Sequence, residues 1–389
     1  MTESLNRETW LASLRQQIAE LSPADALSRQ AQGALLIDVR EDDERAAGTP
    51  VGAVGLSRGF LELRIEQIEP NRSRSILTLC GSGQRSLLAA EALLRMGYHH
   101  VSSVAGGMTR WKSDGLPIAA GELDADAAER YARQLRLPQV GQAGQQKLAQ
   151  AKVALLGAGG LGAPVALYLA AAGVGLLTLV DDDRVERSNL HRQVIHADAR
   201  VGMAKTESAR LALAALNPRV QVEVRTERLQ ADNVERLLAN HDVVVDGADN
   251  FPTRYLLAAA TRRLMLPMVY GAVERFAGQV SVFDPRRNDS PCYRCLFPEP
   301  PSAAEAPNCS EAGVLGVLPG IIGLLQATEV LKLILGLGEP LVGRLLSFDA
   351  LSMRFHEARL LRDPRCPGCG ATAHFGGYED IARLCAAAG

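Results

Sequence analysis

Residue types able to do chemistry gather in three places along the 389-residue chain. The first is "LTLCGSGQRSLLAAEALLRMG" (Leu77–Gly97), where Cys80 ends an apolar strand-like run, Gly81 to Arg85 follow, and a helix pattern begins. Glycines directly after a strand bring backbone N–H groups close to whatever occupies the turn, and the helix start adds the positive end of its dipole. A sulfur there is placed to carry negative charge and to react. An inert buried cysteine at a strand end is the commoner arrangement. Two glycines and Arg85 inside one short loop favour an anion-cradling, reactive loop instead.

The second place is "LLGAGGLGAPVALYLA", in which Gly157, Gly159 and Gly162 form G-x-G-x-x-G after a strand and at the opening of a helix. Asp181 follows Gly162 by 19 residues, at the end of the next strand. That pattern binds nucleotides, with phosphate on the helix N-terminus and the aspartate on a ribose. A nicotinamide dinucleotide needs little more than this, whereas a nucleoside triphosphate needs cations and Mg²⁺. "DDDRVERSNLHRQVIHADARVGMAKTESA" supplies Arg184, Asn189, Arg192 and Lys205, and "VVVDGADNFPTR" puts Asp249 at another strand end. Charged loops are usually just solvated. Strand ends of an open α/β sheet face one crevice, however, and the charge pattern there favours a triphosphate site.

The third is a set of paired cysteines, Cys292 and Cys295 in "PCYRC" and Cys366 and Cys369 in "RCPGCG". Two C-x-x-C pairs are the set a tetrahedral Zn²⁺ takes, and the 70 residues between them mean a structural ion clipping distant segments together. Redox C-x-x-C belongs to a thioredoxin-like context that neither pair has. Cys309 stands alone in "PPSAAEAPNCSEAGVLG", which reads as a loop, and Cys385 in the tail reads as incidental.

The elements that must position these residues fall into two α/β units. "ALLIDVRE" and "SILTLC" are strands, "SLLAAEALLRMG" a helix, and "VSSVAGGMTRW" a strand running into a Gly-Gly turn. Residues 15–120 thus make a small α/β domain, and "KSDGLPIAAGELDAD" reads as a linker. From "KVALLGAGGLG" onward, strands and helices alternate as they do in a parallel sheet covered on both faces. The second domain covers 124–371, and 372–389 is a tail. "LGAPVALYLAAAGVGLLTLV" is apolar enough to suggest a membrane span, but Gly173 and Gly175 split it into a buried helix and a buried strand. "GVLGVLPGIIGLLQATEVLKLILG" carries Gln326, Glu329 and Lys332 and reads as a soluble helix. The net charge of −2, with Lys and Arg dispersed, argues against a nucleic-acid surface. The N-terminus lacks an apolar signal core, and the odd cysteine count suits a reducing cytoplasm. No internal repeat is evident.

"LLIDVRE" (Asp38, Arg40), "CGSGQRS" and "AGGMTRWKSDGLPI" together resemble a rhodanese domain over most of residues 16–118. The resemblance implies that Cys80 carries a persulfide whose terminal sulfur is held by loop N–H groups and Arg85. The six-residue loop Cys80 to Arg85 is similar to the sulfur-selective form of the family. "RYARQLRLPQVGQAGQQKL", "GAGGLG", "DDDRVERSNLHRQ", "GMAKTESA", "DGADNFPTRY" and "PCYRCLFPEP" together resemble the ubiquitin-activating-enzyme-like adenylyltransferases, closest to the bacterial activators of molybdopterin and thiamine sulfur carriers. That resemblance implies a Rossmann-like, mostly parallel sheet domain with a zinc-clipped C-terminal part. It places phosphate on Gly160 and the glycine loop, ribose on Asp181, and the triphosphate on Asn189, Arg192 and Lys205. Ser188 and Asn250 join the nucleotide-binding set, and Asp249 binds Mg²⁺. Arg133 reaches the partner's site in a homodimer, and Cys309 can bond covalently to the activated carrier.

Taken together, these resemblances imply an enzyme using ATP, Mg²⁺ and structural Zn²⁺. It adenylates the C-terminal glycine of a ubiquitin-like sulfur-carrier protein and passes it sulfur from Cys80, loaded by thiosulfate or a cysteine desulfurase. Two other readings stand beside it. One is an activator for protein conjugation through a Cys309 thioester, which leaves the rhodanese loop idle. The other is a nicotinamide oxidoreductase, which leaves Arg192, Lys205 and Asp249 unexplained.

Overall fold

The computed structural model describes residues 6–46, 48–119, 123–300 and 313–387. The chain divides into two compact units, residues 1–130 and 131–389. In the first, β1 (Ala19–Leu21), β2 (Leu35–Asp38), β4 (Val54–Gly55), β5 (Ile76–Leu79) and β6 (Val101–Val104) form a parallel sheet in the order β1-β6-β5-β2-β4. The short strands β3 (Thr49–Pro50) and β7 (Ile118–Ala119) pair antiparallel, so the stretch read as a linker includes a paired strand. Every residue of β2, β5 and β6 is buried, as parallel strands covered on both faces must be. Successive residues of β5 point to opposite sides: Ile76 enters one core with Leu61, Ile65 and Leu93, while Leu77 and Leu79 enter another built on Trp111. Cys80 follows β5 directly, in the middle of the sheet, and helix Gln84–Arg95 carries the chain back.

The second unit is an eight-stranded sheet. Its strands are β8 (Lys152–Leu156), β9 (Leu176–Val180), β10 (Gln221–Arg225), β11 (Val243–Asp246), β12 (Met268–Glu274), β13 (Ala277–Phe283), β14 (Arg344–Asp349) and β15 (Arg354–Arg359). The order is β10-β9-β8-β11-β12-β13-β14-β15. The first five are parallel, and β13, β14 and β15 continue antiparallel. Val153 and Leu155 face one core with helices Gly162–Ala172 and Leu318–Leu335, whereas Ala154 and Leu156 face the other with helix Phe251–Arg263.

The long apolar run from Leu161 splits as its glycines require. Gly173 takes φ +84° and caps helix Gly162–Ala172, and a Cβ on Gly175 would lie 2.0 Å from the Ala149 carbonyl oxygen. Helix Leu318–Leu335 is long and apolar enough to cross a membrane, but it is a core helix. Its buried Gln326 donates to the Asp246 and Val269 carbonyls at 2.7 and 3.2 Å, and Glu329 accepts from Leu341 N at 2.7 Å. The tail contains a helix, Tyr378–Ala387, that packs on Phe251–Arg263.

Trp111 has no exposed surface, and its indole N–H donates to the Pro117 carbonyl at 3.0 Å. Trp111→Ala is expected to remove about 3–5 kcal/mol of stability, read from the free energy of exchange of the β2 and β5 amides. A loss below about 1 kcal/mol would show that this core does not hold the sheet carrying Cys80.

Candidate functional site

The turn after β5 is built by close backbone approach. Gly83 takes φ +95°, and its N–H donates to Cys80 Sγ at 3.1 Å. Gly107 takes φ +55°, where a Cβ would lie 2.2 Å from the Cys80 carbonyl oxygen, and that carbonyl accepts from Met108 N at 2.7 Å. Cys80 is 1% exposed, with Ser86 Oγ at 3.4 Å from its sulfur and Ser103 donating to Ser86 at 2.9 Å. The Asp38 and Arg40 of the motif form a buried ion pair at 2.6 Å beneath the loop's neighbouring strand end. The Arg85 guanidinium forks onto Glu44, with both N–O distances 2.6 Å. That hydrogen-bonded pairing holds the Glu44 carboxyl down to about 2 and raises Arg85.

In the second unit a cleft of about 290 Å³ opens where β8, β9 and β11 end. Gly157, Gly159, Gly160, Asp181, Arg192, Lys205, Asp249 and Asn250 all line it. Gly162 starts the helix behind the turn, and a Cβ there would sit 1.9 Å from the Gly157 carbonyl oxygen. Asp181 accepts from Ala158 N at 2.7 Å and from Asp183 N at 2.8 Å. Burial pushes its carboxyl above the usual carboxylate range, while the Lys205 charge opposes that shift. Lys205 is buried and donates to Asp183 at 2.6 Å. The three aspartates 181, 182 and 183 have carboxylate oxygens within 4.8 Å of one another.

Several expected residues take supporting positions. Asn189 lies outside the cleft lining and accepts from Arg192 Nη2 at 2.8 Å, so it orients the arginine. Ser188 is also outside the lining, with its hydroxyl 3.5 Å from Glu186. Asn250 caps helix Phe251–Arg263 by accepting from Thr253 N at 3.0 Å, and its amide reaches Asp249 at 3.3 Å. Arg133 is exposed on helix Ala132–Leu135 and does not line its own chain's cleft. Cys309 lies outside the described residues.

Arg254 in the cleft wall and Asp246 behind it went unassigned in the sequence. Asp246 is fully buried at the end of β11, and its Oδ2 lies 3.3 Å from Arg254 Nε. Burial raises the Asp246 carboxyl to about 6, against the pull of Arg254. Arg254 also donates to the Ala248 and Gly271 carbonyls at 2.8 and 3.2 Å, tying the turn before Asp249 to β12. Both residues stand in "VVVDGADNFPTR", but their pairing depends on the helix folding back over the strand end. His196 was likewise unassigned. Its Nε2 lies 3.0 Å from the Ala158 carbonyl, which can only accept, so Nδ1 takes the hydrogen bond from Ser208 at 2.9 Å. The ring is neutral, and burial lowers its pKa to about 4.

The four paired cysteines converge, with all sulfurs within 4.8 Å of one another. Cys292–Cys366 is 3.5 Å and Cys295–Cys369 3.4 Å. A tetrahedral ion with metal–sulfur bonds of about 2.3 Å holds thiolates roughly 3.8 Å apart, so this donor set fits one closed, all-thiolate metal site.

Residues 131–368 match the ThiF family, and residues 22–114 match a Rhodanese-like domain. A SAMP-activating enzyme E1 of Haloferax volcanii is 50% identical over 259 residues, covering 67% of this chain and 93% of the relative. A sulfur carrier protein adenylyltransferase of Thermus thermophilus is 52% identical over 245 residues, 62% of this chain and 90% of the relative. The adenylyltransferase and sulfurtransferase MOCS3-2 of Zea mays is 48% identical over 256 residues, a match that covers 66% of this chain and 53% of that one. Among solved structures, E. coli MccB with ATP has the same fold, with a TM-score of 0.54 at 24% identity over 67% of this chain and 79% of that chain.

His196 makes the glycine turn pH-sensitive. Its folded pKa lies below the unfolded value, so its contribution is complete above about pH 6.5 and is lost as pH falls toward 4. Across that window wild type is expected to lose up to about 3 kcal/mol relative to His196→Asn, measured by denaturant unfolding at each pH. A pH-independent difference would contradict the neutral, buried ring.

Proposed function

Because the chain belongs to the ThiF family and carries a rhodanese-like domain, we propose that it activates a carrier protein's C-terminus with ATP and places sulfur on it. The observation that carries the reading is one cleft in which the glycine turn, Arg192, Lys205 and Asp249 meet at the strand ends. The relatives named as a sulfur carrier protein adenylyltransferase and as an adenylyltransferase and sulfurtransferase give the substrate class. The substrate is a ubiquitin-like sulfur carrier ending in Gly-Gly.

The carrier's carboxylate oxygen attacks the α-phosphate of ATP, and pyrophosphate leaves. No general base is needed, because the carboxylate is already deprotonated at neutral pH. Two anions must meet in this step, so the residues around them supply positive charge. The turn at Gly157, Gly159 and Gly160 and the helix start at Gly162 offer N–H groups to the phosphates. Arg192 and Lys205 grip the triphosphate, Asp181 binds the ribose, and Asp249 is the Mg²⁺ ligand. When bound there, Mg²⁺ neutralises charge building on the phosphate oxygens. Arg133 reaches the cleft of a second copy in a homodimer.

The sulfur step belongs to Cys80. The terminal sulfur of its persulfide attacks the acyl carbon and AMP leaves, which joins the carrier to Cys80 through an acyl disulfide. A thiol then attacks the Cys80 sulfur and releases the thiocarboxylate. An external thiol is that attacker, and a second one reduces the resulting mixed disulfide to return the Cys80 thiol. These steps suit a reducing cytoplasm. Cys292, Cys295, Cys366 and Cys369 hold a structural Zn²⁺ that has no part in the chemistry.

The test mixes the full chain with ATP, Mg²⁺, thiosulfate or a persulfide donor, and a Gly-Gly-terminated carrier, and follows the carrier's mass. One oxygen is expected to be exchanged for one sulfur. Cys80→Ala should leave ATP consumption in place but abolish sulfur gain. Lys205→Ala should slow adenylation at least about a hundredfold, the scale set by removing one preorganised charge partner. Sulfur gain without pyrophosphate release would overturn the reading. Separately, one zinc per chain is expected by elemental analysis, falling to none in Cys366→Ser with Cys369→Ser. A metal-free wild type would refute the clip.

A further inference from the structure

The loop that holds Cys80 carries its own arginine, and a carboxylate already occupies it. Arg85 Nη1 and Nη2 each lie 2.6 Å from an oxygen of Glu44, on the short helix Asp42–Ala46. The pair lies against the loop itself, since a Cβ on Gly81 would meet Arg85 Nη2 at 3.4 Å and Glu44 Oε1 at 3.7 Å. Its members are 38% and 35% exposed, so an incoming molecule meets them from solvent. Glu41 adds negative charge around Arg85, and its N–H donates to Glu44 at 3.2 Å. Because Arg85 holds the Glu44 carboxyl down at about 2, no change in working pH neutralises Glu44 and frees the arginine. Arg40, the other arginine near Glu44, is itself committed to Asp38 at 2.6 Å.

We propose that Glu44 sets the donor specificity of the sulfur-loading loop: by occupying Arg85 it disfavours dianionic donors such as thiosulfate, and Cys80 is loaded from a persulfide carried on a thiol. The inference rests on the sulfurtransferase reading of Cys80 given above. Both donors deliver sulfane sulfur without net oxidation. With thiosulfate, the Cys80 thiolate attacks the outer sulfur, the sulfur–sulfur bond breaks, and sulfite leaves with the electron pair. That route brings two further negative charges to a loop whose arginine is already neutralised. With a persulfide R–S–SH, the Cys80 thiolate attacks the outer sulfur and R–S⁻ leaves with the electron pair. The incoming group is then small and carries at most one charge at the reacting end, and the Gly83 N–H already directed at Cys80 Sγ suits it.

The experiment uses the full chain without ATP or carrier, so that only loading is read. Thiosulfate and glutathione persulfide are compared as donors, and the gain of one sulfur on the Cys80 peptide is timed by mass spectrometry. Wild type is expected to load at least tenfold faster from the persulfide. Glu44→Gln, which keeps the shape and removes the charge, should raise the thiosulfate rate at least tenfold and move the persulfide rate less than twofold. Adding Arg85→Gln to that variant should return the thiosulfate rate to the wild-type level. A merely structural role for Glu44 would lower both rates together. In that event Glu44→Asp, too short to span the arginine fork, carries the same expectation with a smaller rise. Equal wild-type rates, or an unchanged ratio in both Glu44 variants, would overturn the assignment of specificity while leaving the sulfurtransferase reading intact. Loading from neither donor would overturn that reading and this inference together.

Discussion

The cleft at the strand ends depends on backbone packed closer than any side chain allows. A Cβ on Gly162 would sit 1.9 Å from the Gly157 carbonyl oxygen, and one on Gly157 would sit 2.7 Å from that of Gly247. Those contacts bring the turn after β8 against the turn after β11, so the helix start at Gly162 and Asp249 share one opening. The same device recurs at Cys80, where Gly107 closes to 2.2 Å of the cysteine's carbonyl oxygen. In both units a parallel strand ends in a turn where glycine lets N–H groups approach an anion. The large buried cores on both faces of each sheet hold these turns in place.

Three cations at or beside the two turns are paired with carboxylates. Lys205 is held by Asp183, Arg254 by Asp246, and Arg85 by Glu44. A buried lysine without such a partner would be costly, so the pairing keeps the cation in position. On the proposed reading a triphosphate competes with Asp183 for Lys205, and the paired Asp183 is 65% exposed. Asp246 is buried completely and stays, which fits a role in fixing the turn before Asp249 rather than in touching substrate.

Much of this was legible where function is written in residue type at fixed spacing. The glycine turn, the two C-x-x-C pairs and the Cys80 loop each need particular residues a few positions apart, and each lies on one local segment of the chain or pairs two such segments. Asp181 lines the same cleft as the glycine turn because the end of β9 must fall beside the end of β8 in a parallel sheet. What escaped notice involves partners distant in sequence whose meeting depends on packing. Glu44 reaches Arg85 across 41 positions, and Gln326 reaches the Asp246 carbonyl across 80. Asn189 and Asn250 were expected at the nucleotide; Asn250 lines the cleft while capping a helix, and Asn189 orients Arg192 from outside the lining. The antiparallel strands β13 to β15, and their extension of the same sheet, come from the fold and were not read in the sequence.

The central claim is that one oxygen of the carrier leaves on AMP and a sulfur takes its place. A Gly-Gly-terminated carrier whose terminal carboxylate is labelled with ¹⁸O, incubated with the full chain, ATP, Mg²⁺ and a persulfide donor, tests it directly. The account predicts AMP carrying one labelled oxygen for each carrier that gains sulfur. Unlabelled AMP, or label appearing in inorganic phosphate alongside ADP, would mean that the carboxylate never attacked the α-phosphate.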